Sequence, residues 1–324
     1  MSCRSPEFTV KNLLRGILLP FPTPFDKDER LDHDALRLNI ERWSAAGVNG
    51  YVALGSTGER VHLNEREYLE VIETARAAVP ADLALIAGAG QQSTRWTINE
   101  VKRAADAGAD AVLVITPHFY RGAMTQGALL DYYRAVADAA PVPVLLYSMP
   151  DLTGVSIAPE TVARLAEHGN IIGIKDSSGD LINLAETLRS APDGFLVLTG
   201  SGPLLFAALA AGAHGAILAV GCVAPYLAVS IFRAVADGEY ERASEMQRRL
   251  SPLALAVTKR YGIGGLKAAM EMLGYAGGGR VRAPLRQASA EARQELARLI
   301  REAGLLDREM EEGESVRLAG ALDQ

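Results

Sequence analysis

Cysteine, long apolar runs and clusters of basic residues are all scarce in this chain. The cysteines, Cys3 and Cys222, are too few for a disulfide framework, and no Cys-x-x-Cys pair suggests zinc. Unpaired thiols are typical of a reducing compartment. The opening stretch MSCRSPEFTVKNLLRG has no apolar segment long enough for a signal peptide, and nothing approaches the roughly 18 apolar residues of a membrane span. We therefore expect a cytoplasmic protein that does not enter a membrane.

The charge balance and the histidines argue against two further classes of partner. The chain carries 33 basic and 39 acidic side chains, a net charge of −6, and has no basic run. Binding to nucleic-acid phosphates requires a clustered basic surface. None of the histidines has the spacing of metal ligands; they are His33, His62, His118, His168 and His214. We expect neither a nucleic-acid partner nor a metal site.

The chain does contain a regular alternation of two patterns. Short apolar runs, rich in β-branched residues, alternate with stretches that have apolar residues at the i, i+3, i+4 spacing of a helix. Helical stretches include 34–46, 65–78, 94–107 and 126–139. The eight apolar runs are 16–19, 50–54, 83–87, 111–115, 142–147, 171–174, 195–198 and 215–218. We therefore predict eight strands separated by helices.

Eight strand–helix units predict an α/β fold, the (β/α)₈ or TIM barrel. Strands that are apolar throughout are expected when helices cover a parallel sheet. The alternative is an open doubly wound sheet, which usually has a Gly-rich phosphate loop after its first strand. Here the first strand is followed by PFPTPF at 20–25, which cannot form such a loop. The barrel is therefore the predicted fold.

The alternation ends near residue 237, which divides the chain into four predicted parts. Residues 1–13 form an N-terminal extension and residues 14–237 the barrel. Residues 238–306 form a C-terminal helical annex, with helices predicted at 240–259, 263–273 and 289–303. Residues 307–324 are charged and weakly apolar, which is typical of a flexible tail.

Barrel enzymes hold their sites at the carboxyl ends of the strands, so the residues that follow each apolar run are candidates. The second run is followed by GSTGE. In this motif Gly55 and Gly58 flank two hydroxyls, those of Ser56 and Thr57. Such a turn can present backbone N–H groups and hydroxyls to a carboxylate. The alternative is a plain Gly-rich turn closed by a capping glutamate.

The fifth and sixth runs lead into a tyrosine and a lysine. Tyr147 can pass a proton if its hydroxyl meets another hydroxyl, with that of Thr57 as the candidate. Lys175 follows the sixth run, where the barrel interior opens. Because burial disfavours the ammonium form, we expect a neutral, nucleophilic amine. Taken singly, these residues could be a core tyrosine and a solvated lysine, but together the signals favour an imine with a 2-oxo acid.

The same motifs carry a family resemblance. GSTGE at 55–59, YSMP at 147–150 and GIKDSSGD at 173–180 resemble, in order and spacing, the dihydrodipicolinate synthase/N-acetylneuraminate lyase family of class I aldolases. The resemblance runs from about residue 14 to about residue 305. It implies a small-molecule 2-oxo acid substrate, a covalent imine without metal or organic cofactor, and usually a homotetramer built as a dimer of dimers.

The resemblance also implies residue roles. Lys175 would form the Schiff base, and Tyr147 would shuttle protons as acid and base. Ser56 and Thr57 would hold the substrate carboxylate, with Thr57 also linked to Tyr147. Three further positions would line the substrate pocket: Ser177, Gly200 and Ile217.

Two departures from the family pattern bear on the reaction. Dihydrodipicolinate synthases carry an arginine shortly after the tyrosine, where Leu152 stands here. A leucine cannot make a bidentate contact with a carboxylate. Those synthases also lend a tyrosine to the neighbouring subunit's proton relay, and Phe119 stands at that position, with Tyr120 beside it. Both departures argue against dihydrodipicolinate synthesis.

The expected reaction is therefore retro-aldol cleavage of a 4-hydroxy-2-oxo acid or a 2-keto-3-deoxy sugar acid to pyruvate and an aldehyde. TPHFYRG, VLLYSMP and the C-terminal RYGIGGLKAAMEMLGYAGG resemble 4-hydroxy-2-oxoglutarate aldolases and related sugar acid aldolases. Three alternatives stay open. They are dihydrodipicolinate synthesis from pyruvate and aspartate semialdehyde, dehydration of a sugar acid, and a non-catalytic barrel that binds a 2-oxo acid.

Overall fold

The structure is a computed structural model and describes residues 10–305. Eight parallel strands close into a barrel in chain order, with β1 paired to both β2 and β8. The strands are β1 (Ile17–Leu19), β2 (Gly50–Ala53), β3 (Ala84–Ala89), β4 (Ala111–Ile115), β5 (Val144–Ser148), β6 (Ile171–Asp176), β7 (Leu196–Thr199) and β8 (Gly215–Ile217). The predicted (β/α)₈ barrel is confirmed.

Helices connect consecutive strands and also build the annex. A short helix, α1 (Val10–Leu13), precedes the barrel. The connecting helices are α2 (His33–Ser44), α3 (Glu65–Ala78), α4 (Thr94–Asp106), α5 (Gln126–Ala139), α6 (Pro150–Thr153), α7 (Pro159–Ala166), α8 (Leu181–Ser190) and α9 (Leu205–Ala210). After β8 come α10 (Pro225–Ala236), α11 (Tyr240–Leu255), α12 (Gly262–Met272) and α13 (Ala290–Glu302).

Polar residues just ahead of several helices explain where those helices begin. The Asn64 side chain accepts from the backbone N–H of Glu67, whose own side chain accepts from the Asn64 N–H, a complete capping box. Ser93, Thr125 and Asp180 cap α4, α5 and α8 through side-chain oxygens. A cap of this kind stabilises a helix by about 1 kcal/mol.

The apolar strands serve two separate cores because both faces of the barrel are buried. One set of side chains fills the barrel interior and includes Leu18, Val52, Ile86, Leu113, Leu145, Tyr147, Leu198 and Ile217. The alternate set packs outward against the helices. Burying one large apolar side chain stabilises the fold by about 1.5–3 kcal/mol. The interior packing leaves the loops at the carboxyl ends of the strands as the place for a site.

Several predicted boundaries differ from the structure by one or two residues, and the differences in β6 and α11 have a physical reason. β6 continues through Lys175 and Asp176, because these residues keep the parallel register with Tyr147 and Ser148. Lys175 is therefore part of the strand rather than the residue after it. The helix predicted at 240–259 ends as an α-helix at Leu255 and widens into a π-helical turn, Ala256–Arg260, just after a proline within α11 that lacks the backbone N–H of a regular helix.

The annex shares the outer apolar core of the barrel. Leu253 of α11, Leu266 of α12 and Leu296 of α13 belong to the same buried cluster as Trp43 of α2. The indole N–H of Trp43 donates to the carbonyl of Cys222, 3.0 Å away. Within residues 10–305, no helix combines the length and apolar character that a bilayer span requires. The tail predicted at 307–324 lies outside the described residues.

Candidate active site

Lys175 and Tyr147 lie side by side at the mouth of the barrel. The register between β5 and β6 pairs Tyr147 with Lys175, so both side chains point into the barrel. Both are buried, and the Lys175 Nζ lies 4.4 Å from the centre of the Tyr147 ring. Among the residues that the structure describes, the Lys175 amine has no acidic partner and no hydrogen bond. The amine is therefore not engaged in an ion pair within this part of the chain.

The GSTGE motif forms a tight turn next to Tyr147. Ser56–Gly58 is a single 3₁₀ turn that follows Gly55, and the Ser56 hydroxyl lies 3.1 Å from the Tyr147 hydroxyl. The predicted partner of Tyr147 was Thr57, and that prediction is wrong. Successive side chains of a 3₁₀ turn are about 120° apart, so only one of the two hydroxyls can face β5. Ser56 takes that place.

Gly200 leaves the space that the lysine occupies. A Cβ atom at this position would lie 2.9 Å from Lys175 Cε and 1.8 Å from Ser177 Oγ. The Gly200 N–H donates to the Asp176 carbonyl at 2.6 Å, which fixes this close approach. Any side chain at Gly200 would therefore displace the lysine or the serine.

Ile217 of β8 and Ser177, directly after β6, are the remaining residues of the predicted pocket. Ile217 of β8 belongs to the same interior cluster as Tyr147. Ser177 comes directly after β6, and its N–H donates to the Ser148 carbonyl at 2.9 Å. The structure thus brings together Ser56, Tyr147, Lys175, Ser177 and Gly200, which are predicted from four separate parts of the sequence.

The residue that holds the loop after β6 is not among those predicted from the sequence. The buried Asp176 carboxylate accepts from the Ser178 N–H at 2.8 Å and from the Asn183 side chain at 3.0 Å. These bonds tie the loop that carries Ser177 to the start of α8. An aspartate followed by two serines and a glycine is a pattern typical of such side-chain-to-backbone turns, so the signal was present.

Phe119 and Tyr120 lie on the surface of the single chain. Their side chains are 73% and 70% exposed, and the two rings meet edge to face with centroids 5.1 Å apart. Neither hydrogen-bonds to Tyr147 within residues 10–305. The predicted role of these residues in a relay across a subunit interface stays a prediction.

Leu152 also lies at the rim of the mouth. It belongs to α6, directly after β5, and is 62% exposed. The neighbouring Asp151 carboxylate pairs with Lys259 of the annex at 3.1 Å. In the described part of the chain, no group of three or more His, Cys, Asp or Glu side chains is arranged to hold a metal ion.

Comparison with known proteins identifies the family. Residues 13–303 match the dihydrodipicolinate synthetase family. The 4-hydroxy-tetrahydrodipicolinate synthase of Methanothrix thermoacetophila is 38% identical over 280 residues, which cover 86% of this chain and 93% of that protein. The name of this relative supports the alternative expectation, dihydrodipicolinate synthesis, better than the expected retro-aldol cleavage.

Two solved structures are similar along nearly the whole chain. The first monomeric dihydrodipicolinate synthase variant to be characterised superposes with a TM-score of 0.87 at 31% identity, covering 91% of this chain and 99% of that one. A prophage protein of the dihydrodipicolinic acid synthase family from E. coli K12, solved with pyruvate, gives a TM-score of 0.85 at 30% identity and covers 90% and 99%. The chain belongs to the dihydrodipicolinate synthetase family and is, as expected, an enzyme of the class I, Schiff-base-forming lyase type.

Proposed function

We propose that Lys175 forms an imine with the ketone carbon of pyruvate. The observation that carries this proposal is a buried lysine, inside the barrel mouth, that has neither an acidic partner nor a hydrogen bond within residues 10–305. Its Nζ attacks the ketone carbon, and water leaves as the imine forms. Removal of a proton from the methyl group then gives an enamine whose terminal carbon is a nucleophile.

Tyr147 and Ser56 handle the protons of these steps. The two hydroxyls are 3.1 Å apart, so a proton can pass between them while Tyr147 stays next to Lys175. The Ser56–Gly58 turn, with the hydroxyl of Thr57, receives the pyruvate carboxylate through backbone N–H groups and hydroxyls. The imine itself is the electron sink, so the proposed chemistry requires neither a metal nor an organic cofactor.

The aldehyde that the enamine attacks is aspartate semialdehyde in our first proposal. The relative from Methanothrix thermoacetophila named above is a 4-hydroxy-tetrahydrodipicolinate synthase, and its similarity extends over 86% of this chain. In this reaction a carbon–carbon bond forms between the enamine carbon and the aldehyde carbon. Hydrolysis of the imine then frees Lys175.

Leu152 favours a second candidate, retro-aldol cleavage of a 4-hydroxy-2-oxo acid. Its apolar side chain stands at the exposed rim of the mouth, and a guanidinium that could bind a second carboxylate is missing from that position. The imine would then assist carbon–carbon cleavage instead of formation. The same pyruvate enamine is formed in both reactions, so the two candidates differ in the aldehyde and in the direction.

We also propose that the enzyme assembles as a homotetramer. Val61, Trp96, Phe119 and Tyr120 are large exposed apolar side chains in the segments that follow β2, β3 and β4, with Trp96 in the first turn of α4. Patches of this kind are typical of protein–protein interfaces. Size-exclusion chromatography with light scattering tests this proposal, and a monomer at micromolar concentration would contradict it.

Borohydride trapping tests the imine. Incubation with pyruvate and borohydride should add a reduced three-carbon acid to the peptide that contains Lys175, and Lys175→Ala should lose this adduct. Lys102→Ala, which removes an exposed lysine of α4, is the matched control. Folded wild-type protein without the adduct would overturn the imine and favour a barrel that only binds 2-oxo acids. Turnover with aspartate semialdehyde plus pyruvate, against turnover of a 2-keto-3-deoxy sugar acid whose aldehyde product carries no carboxylate, then separates the two candidate reactions.

A further inference from the structure

A second buried lysine lies behind the GSTGE turn and comes from the annex. Lys267 of α12 donates to Glu59 Oε1 at 2.5 Å, to the Thr23 carbonyl at 2.6 Å and to the Arg280 carbonyl at 2.6 Å. An ammonium group has three N–H donors, so all of them are used. The lysine thereby joins the loop after β1, the turn after β2 and a loop of the annex.

Glu59 is the residue through which this contact reaches the turn. It directly follows Ser56–Gly58, and its N–H donates back to the Ser56 carbonyl at 3.3 Å. Its backbone has a φ of 53°, in the left-handed region that residues other than glycine adopt only at an energetic cost. Such a conformation persists where surrounding contacts fix it. Here the contacts are made by the buried carboxylate.

Both oxygens of that carboxylate are occupied. Oε1 accepts from Lys267, and Oε2 accepts from the backbone N–H of Arg282 at 3.0 Å. The His62 ring nitrogen lies 3.4 Å from Oε2. The Glu59 side chain is thus held from the annex side, although it belongs to the turn that faces the barrel mouth.

A second contact ties the same turn to the same lysine. The Thr23 hydroxyl donates to the Gly58 carbonyl at 2.6 Å, while the Thr23 carbonyl accepts from Lys267. Lys267 therefore reaches the turn by two routes, through Glu59 and through Thr23. Movement of the lysine would release both contacts that hold the carboxyl end of the turn.

We propose that Lys267 is a positioning residue that holds the Ser56–Gly58 turn in the orientation that binds the pyruvate carboxylate. This inference rests on the proposed function, in which that turn receives the carboxylate. Burying an ion pair is a poor way to gain stability, because desolvation offsets much of the attraction. A pair that fixes a strained turn beside a site instead contributes through geometry. The annex then acts on substrate affinity without touching the substrate.

Lys267→Met tests the proposal through a separation of affinity from chemistry. The pyruvate concentration that gives half-maximal trapping on Lys175 should rise about tenfold or more, while the maximal trapped fraction stays within about twofold. Lys102→Met, which removes an exposed charge, should leave both quantities unchanged. An unchanged half-saturating concentration in folded Lys267→Met would overturn the proposal.

Acetone separates a positioning role from general damage. It carries a ketone but a methyl group in place of the carboxylate, so it cannot use the turn. The acetone concentration that gives half-maximal trapping on Lys175 should be the same, within about twofold, in wild type and Lys267→Met, because the relay through Ser56 sets the rate of imine formation and not its equilibrium. An equal loss with acetone and with pyruvate would show that the substitution distorts the lysine site itself, and the proposal would fail.

Glu59→Gln keeps the test decisive if Lys267→Met does not fold. An amide has one oxygen and one NH₂ group, so either Lys267 or the Arg282 N–H would face another donor. The pyruvate-specific loss should therefore appear in this variant as well. If wild type forms no adduct, the proposed function fails; if wild type forms it and both variants bind pyruvate normally, only the positioning role fails.

Discussion

Lys175 and Lys267 are buried to nearly the same extent, 4% and 5% exposed, yet their surroundings are opposite. Lys175 points into the barrel mouth and has no hydrogen bond or acidic partner within residues 10–305. Lys267 lies between the annex and the barrel and donates three hydrogen bonds, one of them to a buried carboxylate. One lysine is open to a ligand and the other is fully engaged by the protein.

The difference teaches that burial alone does not identify a reactive lysine. An ammonium group whose three donors are satisfied cannot approach a ketone without breaking an ion pair. An amine without such partners can form an imine when a carbonyl arrives. The free energy of the fold should depend on Lys267, and the chemistry should depend on Lys175.

Methionine substitutions should separate the two lysines most strongly. Lys267→Met leaves Glu59 buried without its cation, and we expect a loss of about 3–5 kcal/mol in the free energy of unfolding. Lys175→Met breaks no ion pair, so we expect it to change the free energy of unfolding by no more than about 1 kcal/mol. Urea unfolding at neutral pH without pyruvate measures both. Equal losses for the two variants would contradict the contrast.

A side chain at Gly200 should damage the open lysine and leave the engaged one unaffected. The added Cβ of Gly200→Ala would lie 2.9 Å from Lys175 Cε, and a shift of about 1 Å in a reacting group can cost about 100-fold in rate. We expect a loss of this size in the rate of trapping with pyruvate. Gly169→Ala is the control, because an added Cβ there meets no atom within 4 Å. Normal trapping in Gly200→Ala would mean that Lys175 has room to move.

The sequence predicts the open lysine but not the engaged one. Lys175 and Tyr147 are found because each ends an apolar run, and barrel strands place such residues at the mouth. The barrel is found for a related reason, since strands buried on both faces are apolar throughout. These are local patterns, so they can be read along the chain.

The features of the site that the sequence does not predict depend on contacts between distant residues or on the orientation of side chains within a turn. Glu59 and Lys267 are 208 residues apart, and a glutamate after a glycine is indistinguishable in sequence from a helix cap. Ser56 and Thr57 are adjacent hydroxyls, and only the 3₁₀ geometry decides which one meets Tyr147. Neither the Glu59–Lys267 pair nor the hydroxyl that faces Tyr147 can be predicted from composition or spacing.

Alanine substitutions at these two hydroxyls should sharpen the contrast at the open site. Ser56→Ala removes the partner of Tyr147, and we expect kcat with the preferred aldehyde to fall at least about tenfold. Thr57→Ala should change kcat by less than about threefold and act mainly on the KM for pyruvate. Steady-state kinetics of both variants measure the two effects. A larger fall in kcat for Thr57→Ala would restore the relay predicted from the sequence.

The smallest expected effect is a change of stability with pH at the engaged lysine. Burial lowers the pKa of Lys267 from 10.5 to about 8; the nearby Arg282 lowers it further, and Glu59 offsets only part of the lowering. The folded protein therefore holds this proton less tightly than the unfolded chain does. The cost of keeping the group charged is present in full below about pH 8 and is relieved as the pH rises toward the unfolded value.

The stability of wild type relative to Lys267→Met should therefore rise by about 1 kcal/mol between about pH 7 and about pH 9. The comparison with the variant matters because titratable groups far from Lys267 are present in both proteins and largely cancel. Urea unfolding of the two proteins at both pH values measures the difference. If wild type instead loses stability relative to the variant, the attraction of Glu59 outweighs burial, and Lys267 holds its proton more tightly in the folded protein than in the unfolded chain.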